Sequence, residues 1–393
     1  MRRWIASFFF VGLVGTLDAA PDPAAVREAL RPFVDKGVVA GAVAWVETVG
    51  HPPARVALGQ ADLASGRAQR EDDLFWIASM TKPLVGVAIF MLVDEGRLSV
   101  DDSLGKHLPE FRHPWVIREK RGDQEVRVGK AARPITLRDL LTHTSGLQGE
   151  PPALGRPLSL AELSLFYAQQ PLASEPGEKW AYSNPGINVL GRVVEVVSGK
   201  PFAEFLDERL FRPLGMKDTT FWPDAAQAGR VATSYKIGEG GALEPTAVFL
   251  LRGQDISDRT RTPFPAGGLY STAPDLARFY RMMLAGGEDE GRLYLRPESH
   301  RELTKTQTGE LPTGFTPGMS WGYGFQVVKE PQGVTGMLSA GTYGHGGAYG
   351  TQSWADPATR TIYILLIQRA GLPNADGSEL RHALQSATAP AGK

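Results

Sequence analysis

The sequence predicts an α+β fold: an antiparallel sheet built from both ends of the chain and flanked by helices, with a mainly helical lobe inserted between. Three observations carry this expectation. β-Branched, strand-like runs concentrate near the two ends. The middle is organised by helix caps. Between the first strands and the middle lies a run that is apolar on nearly every face, as a helix buried between two layers must be.

The elements follow in order. Ala24 to Phe33 has the period of an amphipathic helix. Val38 to Val49 reads as a strand, and Arg55 to Gly59 as its hairpin partner. Phe75 to Ile77 leads into the apolar run Met80 to Val93, which stops at Gly96. Trp115 to Val128, charged around Arg121-Gly122-Asp123, reads as a surface hairpin. Thr136-x-x-Asp139 and Ser159-x-x-Glu162 are capping boxes by pattern. A helix is expected from Pro185 to Val197, ending at Ser198-Gly199, and another from Thr272-x-x-Asp275 to near Gly286. Strands return at Gly324 to Val328, Tyr343 to Trp354 and Thr361 to Gln368, with a turn at Asp356-Pro357-Ala358-Thr359. A last helix runs near Ser378 to Ala387. The sheet lobe is placed at about 21–79 and 265–393, the helical lobe at about 80–264.

Bulk properties narrow the function. The 42 Lys and Arg are balanced by 43 Asp and Glu and are scattered, so no nucleic-acid partner is expected. The chain has no cysteine, which excludes thiol nucleophiles, disulfides, thiolate metal sites and a lipid anchor on Cys. No His-Glu-x-x-His occurs, and no cofactor or metal site is expected. Residues 1–20 read as a secretory signal peptide: Arg2 and Arg3, an apolar stretch from Trp4 to Leu17, then Ala19 and Ala20 before Pro21. That stretch, about 14 residues, is short of the roughly 20 that span a bilayer, so no stable membrane insertion is expected after cleavage. The mature chain is expected to be periplasmic or secreted. The sequence assigns no oligomeric state.

Three short motifs carry chemistry. Ser79-Met80-Thr81-Lys82 opens the buried helix, so Ser79 and Lys82 share a face. A serine hydroxyl needs a base, and a Lys in a dry site can lose its proton and become one. Pro83 suits the first turn. A second Ser-x-x-Lys, Ser103 to Lys106, lies in a polar stretch and reads as surface structure. Tyr182-Ser183-Asn184 is the second motif. A Tyr182 phenolate beside a cationic Lys can serve as general base, and Asn184 can donate to a bound carbonyl or to Lys82. Asn184 also reads as the N-cap of the helix that follows. The third is His345-Gly346-Gly347 on a predicted strand. Its glycines let a substrate approach the backbone, and an exposed edge can supply an oxyanion N–H from Ala348. Taken alone, a His on a strand reads rather as a packed structural residue.

In this order the three motifs resemble the serine β-lactamase and penicillin-binding-protein superfamily. The nearer likeness is to the class C β-lactamase-like branch, with family VIII carboxylesterases, D-aminopeptidases, D,D-peptidases and lovastatin-type acyltransferases. Phe75 to Ala78, Leu140 to Leu147, Pro265 to Thr272 and Trp321 to Gly324 are similar to stretches of that branch. The resemblance implies a β-lactamase/transpeptidase-like fold and an acyl-enzyme on Ser79. Lys82 and Tyr182 would then share proton transfer, and the N–H groups of Ser79 and Ala348 would hold the oxyanion. His143 is placed in a helix's last turn, where it suits the dipole. The usual Lys-Thr-Gly is replaced: His345 stands for the Lys and Gly346 removes the hydroxyl. This disfavours β-lactams and C-terminal carboxylates and favours small esters or amides.

Two rivals are weighed. Gly318-Met319-Ser320-Trp321-Gly322 matches G-x-S-x-G, with Asp356 and His382 following, but a loop with Pro312, Gly314 and Pro317 precedes it where an elbow needs a strand. Ser320, Trp321 and Tyr323 are kept as candidate site walls. A non-catalytic sensor of cell-wall fragments is disfavoured because all three motifs are filled. The expected activity is a carboxylesterase on small esters, with D-aminopeptidase, D,D-peptidase, weak β-lactamase or acyltransferase as alternatives.

Overall fold

The computed structural model describes residues 20–121, 125–151, 155–373 and 375–388. Residues 1–19 of the expected signal peptide and the Gly122-Asp123 turn lie outside them. The strand runs at the two ends assemble into one sheet. Its strands are β1 (Gly41–Thr48), β2 (Ala54–Asp62), β3 (Arg67–Ala68), β4 (Met319–Trp321), β5 (Gln326–Val328), β6 (Tyr343–Gly346), β7 (Gln352–Asp356) and β8 (Thr361–Leu366). The order is β4-β5-β6-β7-β8-β1-β2-β3, and every neighbouring pair is antiparallel. The seam between the chain ends is β1 against β8, with Val43 opposite Leu366 and Thr48 opposite Thr361.

The helices used below are α1 (Pro23–Asp35), α2 (Lys82–Asp94), α3 (Leu137–Leu141), α4 (Leu160–Ala168), α5 (Asn184–Ser198), α6 (Ala273–Leu284) and α7 (Glu379–Thr388). Side chains alternate across a strand. Ala42, Ala44 and Val46 of β1 therefore pack with Val26 and Leu30 of α1 and Leu380 and Leu384 of α7. Val43 and Trp45 face the opposite core, shared with α2 and α6. Both faces are covered, so β1 reads as a continuous apolar run. Every residue of α2 from Lys82 to Leu92 is buried. Each large apolar side chain sealed there contributes roughly 1.5–3 kcal/mol, a reserve against which one buried amine can be tolerated.

Local signals hold at most element ends. Thr136 with Asp139 and Ser159 with Glu162 form complete capping boxes. Thr272 Oγ1 accepts from the Asp275 N–H at the start of α6, and Gly199 ends α5 at φ +77°. Two expectations are corrected. The N-cap of α5 is Ser183, not Asn184: its Oγ accepts from Gly186 N–H at 3.1 Å and donates to Leu147 O at 2.7 Å. The run Tyr343 to Trp354 is two strands, because the Gly347 N–H donates back to Thr351 O at 2.7 Å and folds the chain into a turn. Ser320 lies within β4, directly after the loop that holds Pro312, Gly314 and Pro317, so the strand–turn–helix context of an elbow is absent around it.

Candidate functional site

Ser79 sits in a 3-10 turn, Ala78–Thr81, that immediately precedes α2; Lys82 is the first α-helical residue. Ala78 has φ +46°, a left-handed value that costs a residue with a Cβ. The turn is pinned from both sides. Thr81 Oγ1 donates to Ala78 O at 2.7 Å, and Ile77 N–H donates to Leu269 O at 3.0 Å. The result leaves Ser79 half-buried while Ala78, Met80 and Thr81 are sealed.

Lys82 is fully buried. Its Nζ donates to Ser79 Oγ at 2.9 Å and to Ala266 O at 2.5 Å. These bonds replace the expected one to Asn184. Burial holds the amine well below its ordinary pKa. Ala266 is itself held by Asn188 of α5, whose Oδ1 accepts the Ala266 N–H at 3.0 Å. The acceptor for Lys82 is thus a backbone carbonyl, which no residue-type motif announces.

The Tyr182 side chain lies close enough to Ser79 to interact with it, and Lys82 Nζ lies 4.7 Å from the centre of the Tyr182 ring. Burial raises the phenol, so it keeps its proton in the free site. The expected resting pair of phenolate and ammonium therefore gives way to a neutral phenol and a readily deprotonated amine. The ring is gripped by aromatic neighbours: His143 at 4.6 Å, Phe315 at 5.1 Å and Trp321 at 5.8 Å between ring centres.

His143 is not in a last helical turn. It follows α3 at φ +59°, fully buried, and burial holds its imidazole neutral. Its carbonyl accepts from Ala181 N–H at 2.8 Å and its Nδ1 from Ser183 N–H at 3.1 Å, so it clasps the backbone on either side of Tyr182.

His345 lies on β6, buried, 6.2 Å from the Tyr182 ring centre, with Nδ1 donating to Gly346 O at 2.6 Å. Burial and the neighbouring Lys82 push its pKa down to about 3, so it carries no charge near neutrality. A side chain at Gly346 would overlap the carboxylate of Asp376, which accepts from the Gln326 and Gln352 amides at 3.3 Å each. A Cβ at Gly347 would overlap Thr351 Oγ1 and stand 2.7 Å from Ile77 O. That close approach presses the hairpin turn against the turn that bears Ser79. Ala348 lies in this turn rather than on a strand edge. Among the described residues, neither the Ser79 nor the Ala348 N–H is taken by another protein group.

A cavity of about 120 Å³ opens beside Ser79. Trp76, Tyr167, Phe249 and Phe264 supply apolar wall, and Asn184, Asn188, Glu150 and Ala348 polar points. Asn184 is exposed and lines it. The other candidate serines are elsewhere: Ser103 precedes a short helix whose Lys106 pairs with Asp102, and Ser320 Oγ is buried against Thr308 Oγ1 at 3.0 Å. Asp356 is occupied by the backbone of Ser339 and of its own turn. Of the candidate walls, Trp321 touches Tyr182 and His143, whereas Tyr323 packs on Phe90. Sequence patterns alone gave no site role to His143, Asn188, Ala266 or Asp376. Their contacts join segments far apart in the chain, and only the family-like stretches touch two of them.

Residues 26–388 match the family described as Beta-lactamase. The chain is 32% identical over 385 residues to esterase EstB of Burkholderia gladioli, covering 90% of this chain and 92% of that protein. It is 30% identical over 352 residues to the lovastatin esterase of Penicillium rubens, covering 82% and 86%. The fold is that of the simvastatin synthase LovD of Aspergillus terreus, with a TM-score of 0.76 at 21% identity over 93% of this chain and 99% of that one. Matched along nearly all its described length, the chain belongs to the Beta-lactamase family, whose members are serine hydrolases such as esterases and peptidases.

Proposed function

We propose that the protein is a carboxylesterase that cleaves small esters through an acyl-enzyme on Ser79. The observation that carries this reading is the buried Lys82 amine, 2.9 Å from Ser79 Oγ and readily deprotonated. Lys82 takes the Ser79 proton as Oγ attacks the ester carbonyl. The N–H groups of Ser79 and Ala348 donate to the developing oxyanion. Tyr182 gives its proton to the leaving alcohol and recovers one from Lys82. Water then enters by the reverse path and releases the acid. Asn184 orients the bound carbonyl.

Preference for esters over β-lactams and C-terminal carboxylates is supported by the third motif. A neutral His345 replaces a cation there, and the Asp376 carboxylate stands beside Gly346. The first withholds the cation that would hold an anionic group there, and the second repels such a group. The similarity to two proteins named as esterases points the same way. The N-terminal pattern supports export, checked by sequencing the N-terminus of the mature protein.

The test is a fluorophosphonate probe followed by mapping of the labelled peptide, with p-nitrophenyl acetate, a D-amino amide and nitrocefin run beside Ser79→Ala. We expect label on Ser79, loss of acetate hydrolysis in the variant, and little nitrocefin turnover. Label on Ser320, or full activity in Ser79→Ala, overturns the reading.

A further inference from the structure

A second cavity, of about 230 Å³, adjoins the one at Ser79; Pro151, Leu250, Arg252 and Phe264 line both. Their chemistry differs. Glu150 stands on the wall of the Ser79 cavity, whereas Arg156, Arg261 and Gln254 line the adjoining one. The charge of Arg156 is met by Glu162. Arg261 is in another position. It is only 7% exposed, its Nη2 donates to the carbonyls of Phe221 at 2.6 Å and Ile256 at 2.5 Å, and among the described residues its Nε–H has no partner. The carboxylates that act on it, Asp255 and Asp258, are held by their own turns through Ser257 and Thr260. Burial lowers its pKa from the usual guanidinium value. Among the described residues, no carboxylate is within ion-pair distance of Arg261 or Arg252.

Arg252 adds a second cation at the boundary. It ends the turn Phe249–Leu251 at φ +48°, exposed and lining both cavities. A buried guanidinium with a free donor is costly unless an anion or acceptor meets it. An aliphatic tail entering this cavity would remove water from Arg261 and return no acceptor. A carboxylate would supply the compensating charge and an acceptor at the cavity wall.

We infer that the adjoining cavity binds a carboxylate carried by the substrate, several bonds from the ester that reacts at Ser79, with Arg261 and Arg252 as its partners. This rests on the acyl-enzyme reading and narrows the substrate class to half-esters of dicarboxylic acids or esters of hydroxy acids. It is compatible with the third motif, because Asp376 and His345 are not among the residues lining this cavity.

Binding can be measured without turnover in Ser79→Ala by titration calorimetry. Two ester pairs are used, each an anionic ester and its methyl-capped neutral counterpart. One pair carries the carboxylate on the acyl side (mono-p-nitrophenyl octanedioate), the other on the alcohol side (6-acetoxyhexanoate). A charge-assisted contact predicts roughly tenfold or greater preference for the anion in at least one pair. Arg261→Gln in that background brings the preference close to parity, and Arg252→Gln reduces it several-fold. Folding is checked by far-UV circular dichroism. If Arg261→Gln does not fold, exposed Arg252 carries the test. Parity in both pairs, or an undiminished preference in the folded arginine variants, overturns the inference. Acetate hydrolysis that survives in Ser79→Ala instead strikes at the acyl-enzyme reading, so the two failures are told apart.

Discussion

Burying an amine is tolerable only if it can give up its proton, and Lys82 is where this chain accepts that cost. The folded pKa lies below the unfolded one, so between the two values the unfolded chain binds the extra proton and stability rises with pH. The deficit at neutral pH is removed if the amine is removed. We therefore expect Lys82→Met to lower kcat/KM for p-nitrophenyl acetate by about a thousandfold or more while raising Tm at pH 7, with the gain shrinking toward pH 10. Thermal scans at both pH values decide it; a gain that grows with pH contradicts the lowered pKa. Ser79 and Lys82 were legible because three-residue spacing on a helix is a local rule. His143 was not. Its φ of +59° and its grip on residues 181 and 183 depend on segments about 40 residues apart, and neither leaves a trace in the residue's identity.

At the scale of elements, the site depends on two turns held in contact: Ala78–Thr81, which bears Ser79, and the β6–β7 turn, which bears Ala348. Gly347 is the contact point, where a methyl would overlap Thr351 and crowd Ile77 O. Gly347→Ala must push the hairpin away and carry the Ala348 N–H with it. Losing one oxyanion donor costs about a hundred- to a thousandfold in kcat, and we expect a fall of that order in kcat, with slower fluorophosphonate labelling of Ser79. Labelling at the wild-type rate would show that Ala348 is not a donor. The same elements mark the limit of the sequence. Capping boxes were legible because two polar side chains three apart satisfy each other. Ser183 and Asn184 were not separable as caps, since either choice leaves Pro185 in the first turn of α5. The split of Tyr343 to Trp354 turns on one backbone hydrogen bond, from Gly347 to Thr351, and the glycines at 346, 347 and 350 are the only local sign of it.

For the whole molecule, the sheet with both faces covered was legible from where the strand runs fall, but the cavity was not, because segments from Trp76 to Ala348 meet only once the chain is folded. That packing also fixes how the protein responds to acid. His345, held to about 3 by burial, and His143, lowered for the same reason, both sit against Tyr182. Between pH 6.5 and about 3 the unfolded chain takes up protons at these positions that the folded chain refuses, so stability is lost as pH falls through this window. Each pH unit between the unfolded and folded values is worth about 1.4 kcal/mol, so the loss from His345 alone amounts to several kcal/mol. Asp275 works in the opposite direction. Burial raises it to about 6, so between its unfolded value near 3.8 and about 6 the folded chain holds the extra proton and gains stability on acidification. That window is the narrower one, and the imidazoles dominate. We expect the wild-type Tm to fall between pH 6.5 and pH 4, and the fall to be shallower in His345→Gln, where one refused proton has been removed. Differential scanning calorimetry across that range reads the difference. Parallel curves for the two proteins would mean that His345 takes up its proton in the fold as readily as in the unfolded chain, and the lowered pKa that burial imposes on the third motif would be contradicted.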